Sequence, residues 1–204
     1  MSTYKLTYFN AKGIAESIRM LLSYSGKEFK DIRIEHNDWL KNVKSKTPFG
    51  QLPILEIDNK VLYQSTAICR YLGEESHLAG KNNWENLQIN MMAECFLDFK
   101  KHIIDLFFEE NKEAKEKKSL EVKNQIIPFY LGRFDRIIQE NNGFFALGKL
   151  SWFDFYFVGY SETLETIVQE KVCEQFPHIS QLRKNIFDIP KVQRWLKKRP
   201  STLY

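Results

Sequence analysis

The first side chain in this 204-residue sequence with a type and place suited to chemistry is a phenol. Tyr8 stands near the end of the alternating segment Tyr4-Lys5-Leu6-Thr7-Tyr8-Phe9, so Tyr4, Leu6 and Tyr8 share one face of a strand. Its C-terminal end is where ligands approach α/β folds. A neutral phenol, with an ordinary pKa of about 10, donates a hydrogen bond, and a donor aimed at an anion stabilises that anion. One more aromatic in an aromatic strand is the plainer alternative. Ser65 opens a helical stretch, where a hydroxyl caps free N–H groups and where a carboxylate is also well received. Pro53 suits the start of a strand. Asp98 reads as a surface acid. Ser151 and Asp154 stand three apart just before an apolar helix, the spacing of a capping box, so their expected role is in folding.

The elements that must position these residues change character once along the chain. After the first strand, Ile14, Ile18, Leu21 and Leu22 fall on one helical face between Gly13 and Tyr24, and Phe29 to Ile34 alternates again. That is a β-α-β unit whose strands run parallel, because a helix joins them. Following an irregular stretch, Ile54-Leu55-Glu56-Ile57 and Lys60-Val61-Leu62-Tyr63 flank Asp58-Asn59, a tight-hairpin connection, and a helix runs from about Ser65 to Leu72. Residues 77–83, with Gly80 and two Asn, read as a linker between a first domain over 1–76 and a second over 84–204. The second domain is all helix. Leu87, Met91, Met92, Cys95, Phe96, Phe99, Ile103 and Leu106 recur at threes and fours, and further helices are expected near 120–140, 152–169, 179–187 and 191–198.

Composition excludes several classes of function. The 30 basic and 26 acidic groups divide evenly, 11 and 9 over residues 1–76 against 19 and 17 beyond, whereas a nucleic-acid partner calls for concentrated positive charge. The run Glu109 to Lys118 mixes four Glu with four Lys, a solvated helix end or loop. No apolar run approaches the roughly 20 residues that cross a bilayer, and the opening residues lack a signal-peptide pattern, so no membrane partner and a cytoplasmic location are expected. Cys69, Cys95 and Cys173 are too scattered for a disulfide framework, and neither they nor the four His have metal-ligand spacing.

Tyr4 to Asn10, Trp39, Pro48-Phe49-Gly50-Gln51-Leu52-Pro53 and Gln64-Ser65, followed by Ala146 to Asp154 and Trp195 to Pro200, resemble the sigma-class glutathione transferases, the arthropod members above all. The resemblance covers the whole chain and rests on these motifs occurring together and in order. It implies a thioredoxin-like α/β first domain and an all-α second domain. Redox members of the thioredoxin fold carry Cys-x-x-Cys after the first strand; here that place is Phe9-Asn10-Ala11-Lys12, without a thiol. The nucleophile is then the co-substrate glutathione. Tyr8 would donate its hydroxyl to the sulfur; lowering a thiol pKa of about 8.5 by about 2 units is worth about 2.7 kcal/mol and makes thiolate the majority form at pH 7.

The resemblance also implies the rest of the glutathione site. A cis Leu52-Pro53 bond would offer the Leu52 backbone to the cysteinyl backbone, and Gln64 and Ser65 would hold the γ-glutamyl end. Trp39 and Lys44 would hold the glycine end, with Gln51 lining the groove and Asp98 reaching the γ-glutamyl ammonium from the partner subunit of a homodimer. Phe9, Met92, Phe96, Phe99 and Tyr204 are the candidates for the pocket that takes a small hydrophobic electrophile. Two departures stand out. Ile14 occupies a position where many sigma-class members carry Arg, with Lys12 the candidate to replace that cation, and Asp105 stands where the vertebrate prostaglandin D synthases place an aromatic. The expected function is conjugation of glutathione to small hydrophobic electrophiles such as lipid-peroxidation aldehydes. Glutathione-dependent prostaglandin isomerisation and a low-activity, ligand-binding or crystallin-like role are the alternatives.

Overall fold

A computed structural model describes residues 2–204. Strand β1 (Tyr4–Phe9), helix α1 (Ala15–Tyr24) and strand β2 (Phe29–Ile34) form the opening unit, with β1 and β2 parallel and Tyr4 opposite Phe29. β3 (Ile54–Ile57) adds antiparallel to the other edge of β1, and β4 (Lys60–Tyr63) closes the sheet in the order β2-β1-β3-β4. The hairpin tip is tied to the chain start, where the Asp58 carboxylate accepts from the Thr3 amide at 2.9 Å. Between β2 and β3 the stretch read as irregular is largely helical: a single turn α2 (His36–Asp38), a π-turn over Trp39–Val43 and a 3-10 turn over Lys44–Lys46. Its many polar residues leave no apolar period to read.

Helix α3 (Ser65–Glu75) follows β4, and the long α4 (Asn83–Phe107) opens the helical part with an Asn82 side chain accepting from the Glu85 amide. The Glu/Lys run belongs mainly to α5 (Lys112–Glu121), which a π-turn joins to α6 (Ile127–Glu140). Asn111 caps α5, and Lys118 pairs with Glu109 at 2.6 Å, so the alternating charges hold a solvated helix that lacks an apolar face. Then come α7 (Trp152–Val168), α8 (Pro177–Phe187) and α9 (Pro190–Lys198).

One apolar core runs through both halves, and α7 is its axis, buried over almost its whole length. Gly159 is where α7 meets α1: a Cβ there would lie 2.5 Å from the Ser17 backbone nitrogen, so only glycine permits this approach. The Ser17 hydroxyl donates to the Tyr156 carbonyl at 3.0 Å across the same contact. Asp154 is fully buried and does more than the capping box required. One oxygen accepts from the amide and hydroxyl of Ser151, both at 2.7 Å, and the other accepts from the Phe145 amide at 3.0 Å. It thereby ties the preceding loop to the start of α7. Leu78, in the segment between α3 and α4, is buried, and its carbonyl accepts from the Trp152 amide at 3.0 Å.

Candidate active site

β1, an inner strand of the sheet, carries Tyr8 near its C-terminal end, half-buried, beside the turn that starts α1. Gly13 forms that turn with a φ of +48°, and a Cβ on it would stand 2.5 Å from the Tyr8 hydroxyl oxygen and 2.7 Å from a ring carbon. Glycine is needed there for both conformation and space. Burial raises the Tyr8 pKa above its ordinary value, opposed by the Ile14 backbone amide and by the charge of Arg19. The phenol therefore keeps its proton at neutral pH and remains a donor.

Arg19 is the cation near Tyr8, not Lys12. Its guanidinium carbon lies 5.9 Å from the Tyr8 ring centroid, within cation–π range. Lys12 instead offers its backbone amide to the Tyr204 carbonyl, and its charge acts on Glu162. Arg19 is itself held by a buried charge network. It donates to Asp31 at 2.9 Å and to Glu16 at 3.1 Å. Glu16 also accepts from the Trp195 indole at 2.7 Å and from Arg199 at 2.9 Å. The network joins β2, α1 and α9, which makes it a long-range product of packing.

The other residues expected at a glutathione groove lie in the segments between β2 and β3 and at the start of α3. The Leu52–Pro53 peptide is cis, and among the described residues no other backbone group pairs with Leu52. Lys44 is exposed and lies along Gly50, its Cε 3.5 Å from where a Cβ would stand. Trp39 is 6% exposed and packs edge-on against Phe9 at 5.7 Å between ring centroids. Gln64 donates to Gln51 at 3.2 Å. Ser65 proves to be the first helical residue rather than the cap: Gln64, at a φ of +69°, holds the cap position without a side-chain cap bond. The first N–H groups of α3 thus have no internal partner. The Ser65 hydroxyl instead lies 3.1 Å from that of Tyr156, to which Thr66 also donates at 2.9 Å. Asp98 is exposed on α4 and forms no ion pair among the described residues.

Beside Tyr8 opens a cavity of about 460 Å³. Phe9, Tyr204 and Ile14 line it, but Met92, Phe96 and Phe99 do not. Phe96 and Phe99, 1% and 0% exposed, belong to the bundle core, where Phe96 meets Phe153, Tyr156, Phe157 and Tyr160. Met92 packs, partly buried, against the same core. The reason is helical phase: successive side chains turn by about 100°, so the core stripe through residues 96, 99 and 103 leaves the neighbouring stripe of Lys100, Ile104 and Phe107 to face the cavity. Tyr160 from α7 completes the wall. Lys100, Ile104, Phe107, Tyr160, Gly13 and Arg19 escaped the sequence reading. The available signal was a second stripe on α4 in which one lysine interrupts apolar residues. Phe107 supplies an aromatic from α4, stacked edge-on with Tyr204 at 5.2 Å, so the exposed Asp105 does not leave the cavity without one.

Family models describe both halves of this architecture: residues 4–74 match the glutathione S-transferase N-terminal domain, and residues 97–199 match the C-terminal domain. The chain belongs to the glutathione S-transferase family. It is 39% identical over 202 residues to a glutathione S-transferase of Anopheles gambiae, covering 99% of each chain. To a hematopoietic prostaglandin D synthase of Gallus gallus it is 36% identical, again over 99% of each. The solved structure of prostaglandin synthase D of Nilaparvata lugens superposes with a TM-score of 0.95 at 44% identity, covering 98% of this chain and 100% of that one. The fold is accordingly that of the glutathione S-transferases, a thioredoxin-like domain followed by a helical one, and the chain is an enzyme of this family, which uses glutathione as co-substrate. Among the described residues no group of three His, Cys, Asp or Glu is placed to hold a metal ion, and no helix is long and apolar enough to cross a membrane.

Proposed function

We propose that this is a sigma-class glutathione transferase in which the Tyr8 hydroxyl stabilises the glutathione thiolate for attack on small hydrophobic electrophiles entering the cavity beside it. The observation that carries the reading is a protonated phenol at the edge of a mainly apolar cavity, packed so closely on Gly13 that a side chain there would overlap it. The thiol proton leaves to solvent. The sulfur then bonds to the electrophilic carbon while the departing pair leaves with a halide or moves onto a conjugated carbonyl oxygen. Leu52 offers its backbone to the cysteinyl unit, Gln64, Ser65 and the free N–H groups of α3 receive the γ-glutamyl carboxylate, and Trp39, Lys44 and Gln51 hold the glycine end. Lipid-peroxidation aldehydes fit the apolar lining.

A homodimer completes the site. Trp84, Leu87 and Met91 form an exposed apolar stripe on α4, and Phe49 and Tyr63 stack, exposed, on the first domain. Asp98 lies farther along α4 and would reach the neighbour's γ-glutamyl ammonium. Three unpaired cysteines agree with a reducing, cytoplasmic setting. The open cavity counts against a closed, crystallin-like role. Glutathione-dependent prostaglandin isomerisation is the second reading; Phe107 on the cavity wall and the likeness to prostaglandin D synthases favour it, and measuring whether glutathione is consumed separates the two.

Tyr8→Phe tests the central assignment. Glutathione binding should stay within a few-fold, while turnover of 1-chloro-2,4-dinitrobenzene at pH 7 falls up to about 100-fold and the pKa in the pH–rate profile rises by up to about 2 units. An unchanged profile rejects Tyr8 as the thiolate's donor.

A further inference from the structure

Lys100 is out of character with its surroundings. It belongs to the cavity-facing stripe of α4, whose neighbours there are Ile104 and Phe107, and it is only partly exposed. No carboxylate stands within ion-pair distance of it among the described residues. Its one hydrogen bond is a long one, 3.5 Å to the Tyr156 hydroxyl, which Ser65 and Thr66 already engage. Burial moves the pKa of this ammonium down to about 8; the Cys69 thiol on α3, the titratable group that acts on it, is itself pushed up by burial and stays neutral, so the cation has lost water without gaining a counter-ion. The same cavity holds a second unpaired polar group: Thr163 is 5% exposed, and its hydroxyl has no hydrogen-bond partner among the described residues.

The other ionisable groups on the cavity wall do not neutralise Lys100. Tyr8 and Tyr160 are pushed by burial toward their protonated forms. Glu35 and His36 are exposed, and Glu35 accepts a hydrogen bond from Asn10 at 3.3 Å; water screens a charge in such a place. Tyr204 is part-exposed and stacks on Phe107. An unpaired cation and an unpaired hydroxyl in a mainly apolar cavity define a ligand with an apolar body and one anionic group.

We infer that Lys100 is a specificity-determining residue of this cavity, selecting electrophiles that carry a carboxylate on an apolar body over neutral electrophiles of similar size. The inference rests on the proposed transferase reading and adds the charge of the preferred electrophile. Glutathione's own carboxylates are assigned to the start of α3 and to Lys44, which leaves the Lys100 charge for the second substrate.

The test compares the full-length enzyme with Lys100→Met and Lys100→Glu, using glutathione with neutral 1-chloro-2,4-dinitrobenzene and with the carboxylated 4-chloro-3,5-dinitrobenzoate. The readout is the ratio of kcat/KM for the anionic to the neutral halide, because a general loss of fold or of thiolate lowers both together. We expect this ratio to fall about 10-fold or more in Lys100→Met and further in Lys100→Glu. In the wild type it should also decline between pH 7 and pH 9, as the ammonium loses its proton, relative to the same change in Lys100→Met. A ratio that stays at the wild-type value in both variants overturns the inference and leaves the transferase reading standing. A rise in the KM for glutathione with an unchanged ratio also overturns it, by assigning Lys100 to glutathione. A wild type inert toward both halides overturns the transferase reading and the inference with it.

Discussion

Gly13→Ala tests whether the catalytic phenol depends on the space beneath it. The new methyl carbon would stand 2.5 Å from the Tyr8 oxygen and 2.7 Å and 2.9 Å from two ring carbons. Ordinary carbon contacts need about 3.5 Å, so relief demands a movement of roughly 0.7 to 1 Å. Moving a donor from about 3 Å to about 4 Å from the sulfur ends the hydrogen bond. A bond to a charged acceptor is worth about 1.5 to 3 kcal/mol, which corresponds to a loss of about 10- to 100-fold in kcat/KM at pH 7. The φ of +48° adds a separate backbone penalty of about 1 to 2 kcal/mol, which lowers the melting temperature by about 2 to 8 °C. Thermal melts and the pH dependence of aryl-halide turnover measure the two effects separately. The decisive comparison is the double variant: if Gly13 acts through the hydroxyl, Gly13→Ala should add little kinetic loss to Tyr8→Phe while still reducing stability. Wild-type kinetics in Gly13→Ala, or a kinetic loss of equal size in the Tyr8→Phe background, would refute the reasoning.

Two further outcomes follow from the packing. Burial raises the pKa of Asp154 to about 6, against about 4 in an unfolded chain, so between these values the folded state binds more protons than the unfolded state. Stability should therefore fall by about 3 kcal/mol as pH rises from 4 to above 6; urea melts of Asp154→Asn, which cannot titrate, should lack this slope, and parallel curves would reject the assignment. Trp84→Glu places a charge on the exposed apolar stripe of α4 and should yield monomers in sedimentation experiments, with the KM for glutathione raised several-fold by loss of the partner copy's carboxylate. Monomers with an unchanged KM would remove Asp98 from the site.

Much of this protein is written in short-range pattern. Alternation locates the first two strands, and the tight Asp58-Asn59 connection locates the hairpin of the last two. Threes and fours locate α1, α3, α4 and the helices after Trp152, while the Ser151–Asp154 spacing marks the start of α7. These features are legible because strand and helix repeats are properties of a few neighbouring residues. The π-turn that joins α5 to α6 and the turns over residues 36–46 lie where charge and polarity blur the period. Tyr8 and the groove residues became chemically meaningful through a resemblance spread along the chain. Sequence patterning marked α4 as amphipathic, but not which of its adjacent stripes would be enclosed.

That choice belonged to packing. α7 covers Phe96 and α6 meets Phe99, which leaves Lys100 and Phe107 at the cavity and Leu87 and Met91 exposed. In the same way Glu16 comes beside Trp195 and Arg199 only once distant segments meet, whereas Gly13 and Arg19 reach Tyr8 through the neighbouring turn and first helix. A side chain's period is set by its own backbone. Its neighbours across the fold, and with them its protonation, its freedom to move and the ligand it can meet, are set by distant chain segments, as Arg199 meets Glu16 across 183 residues.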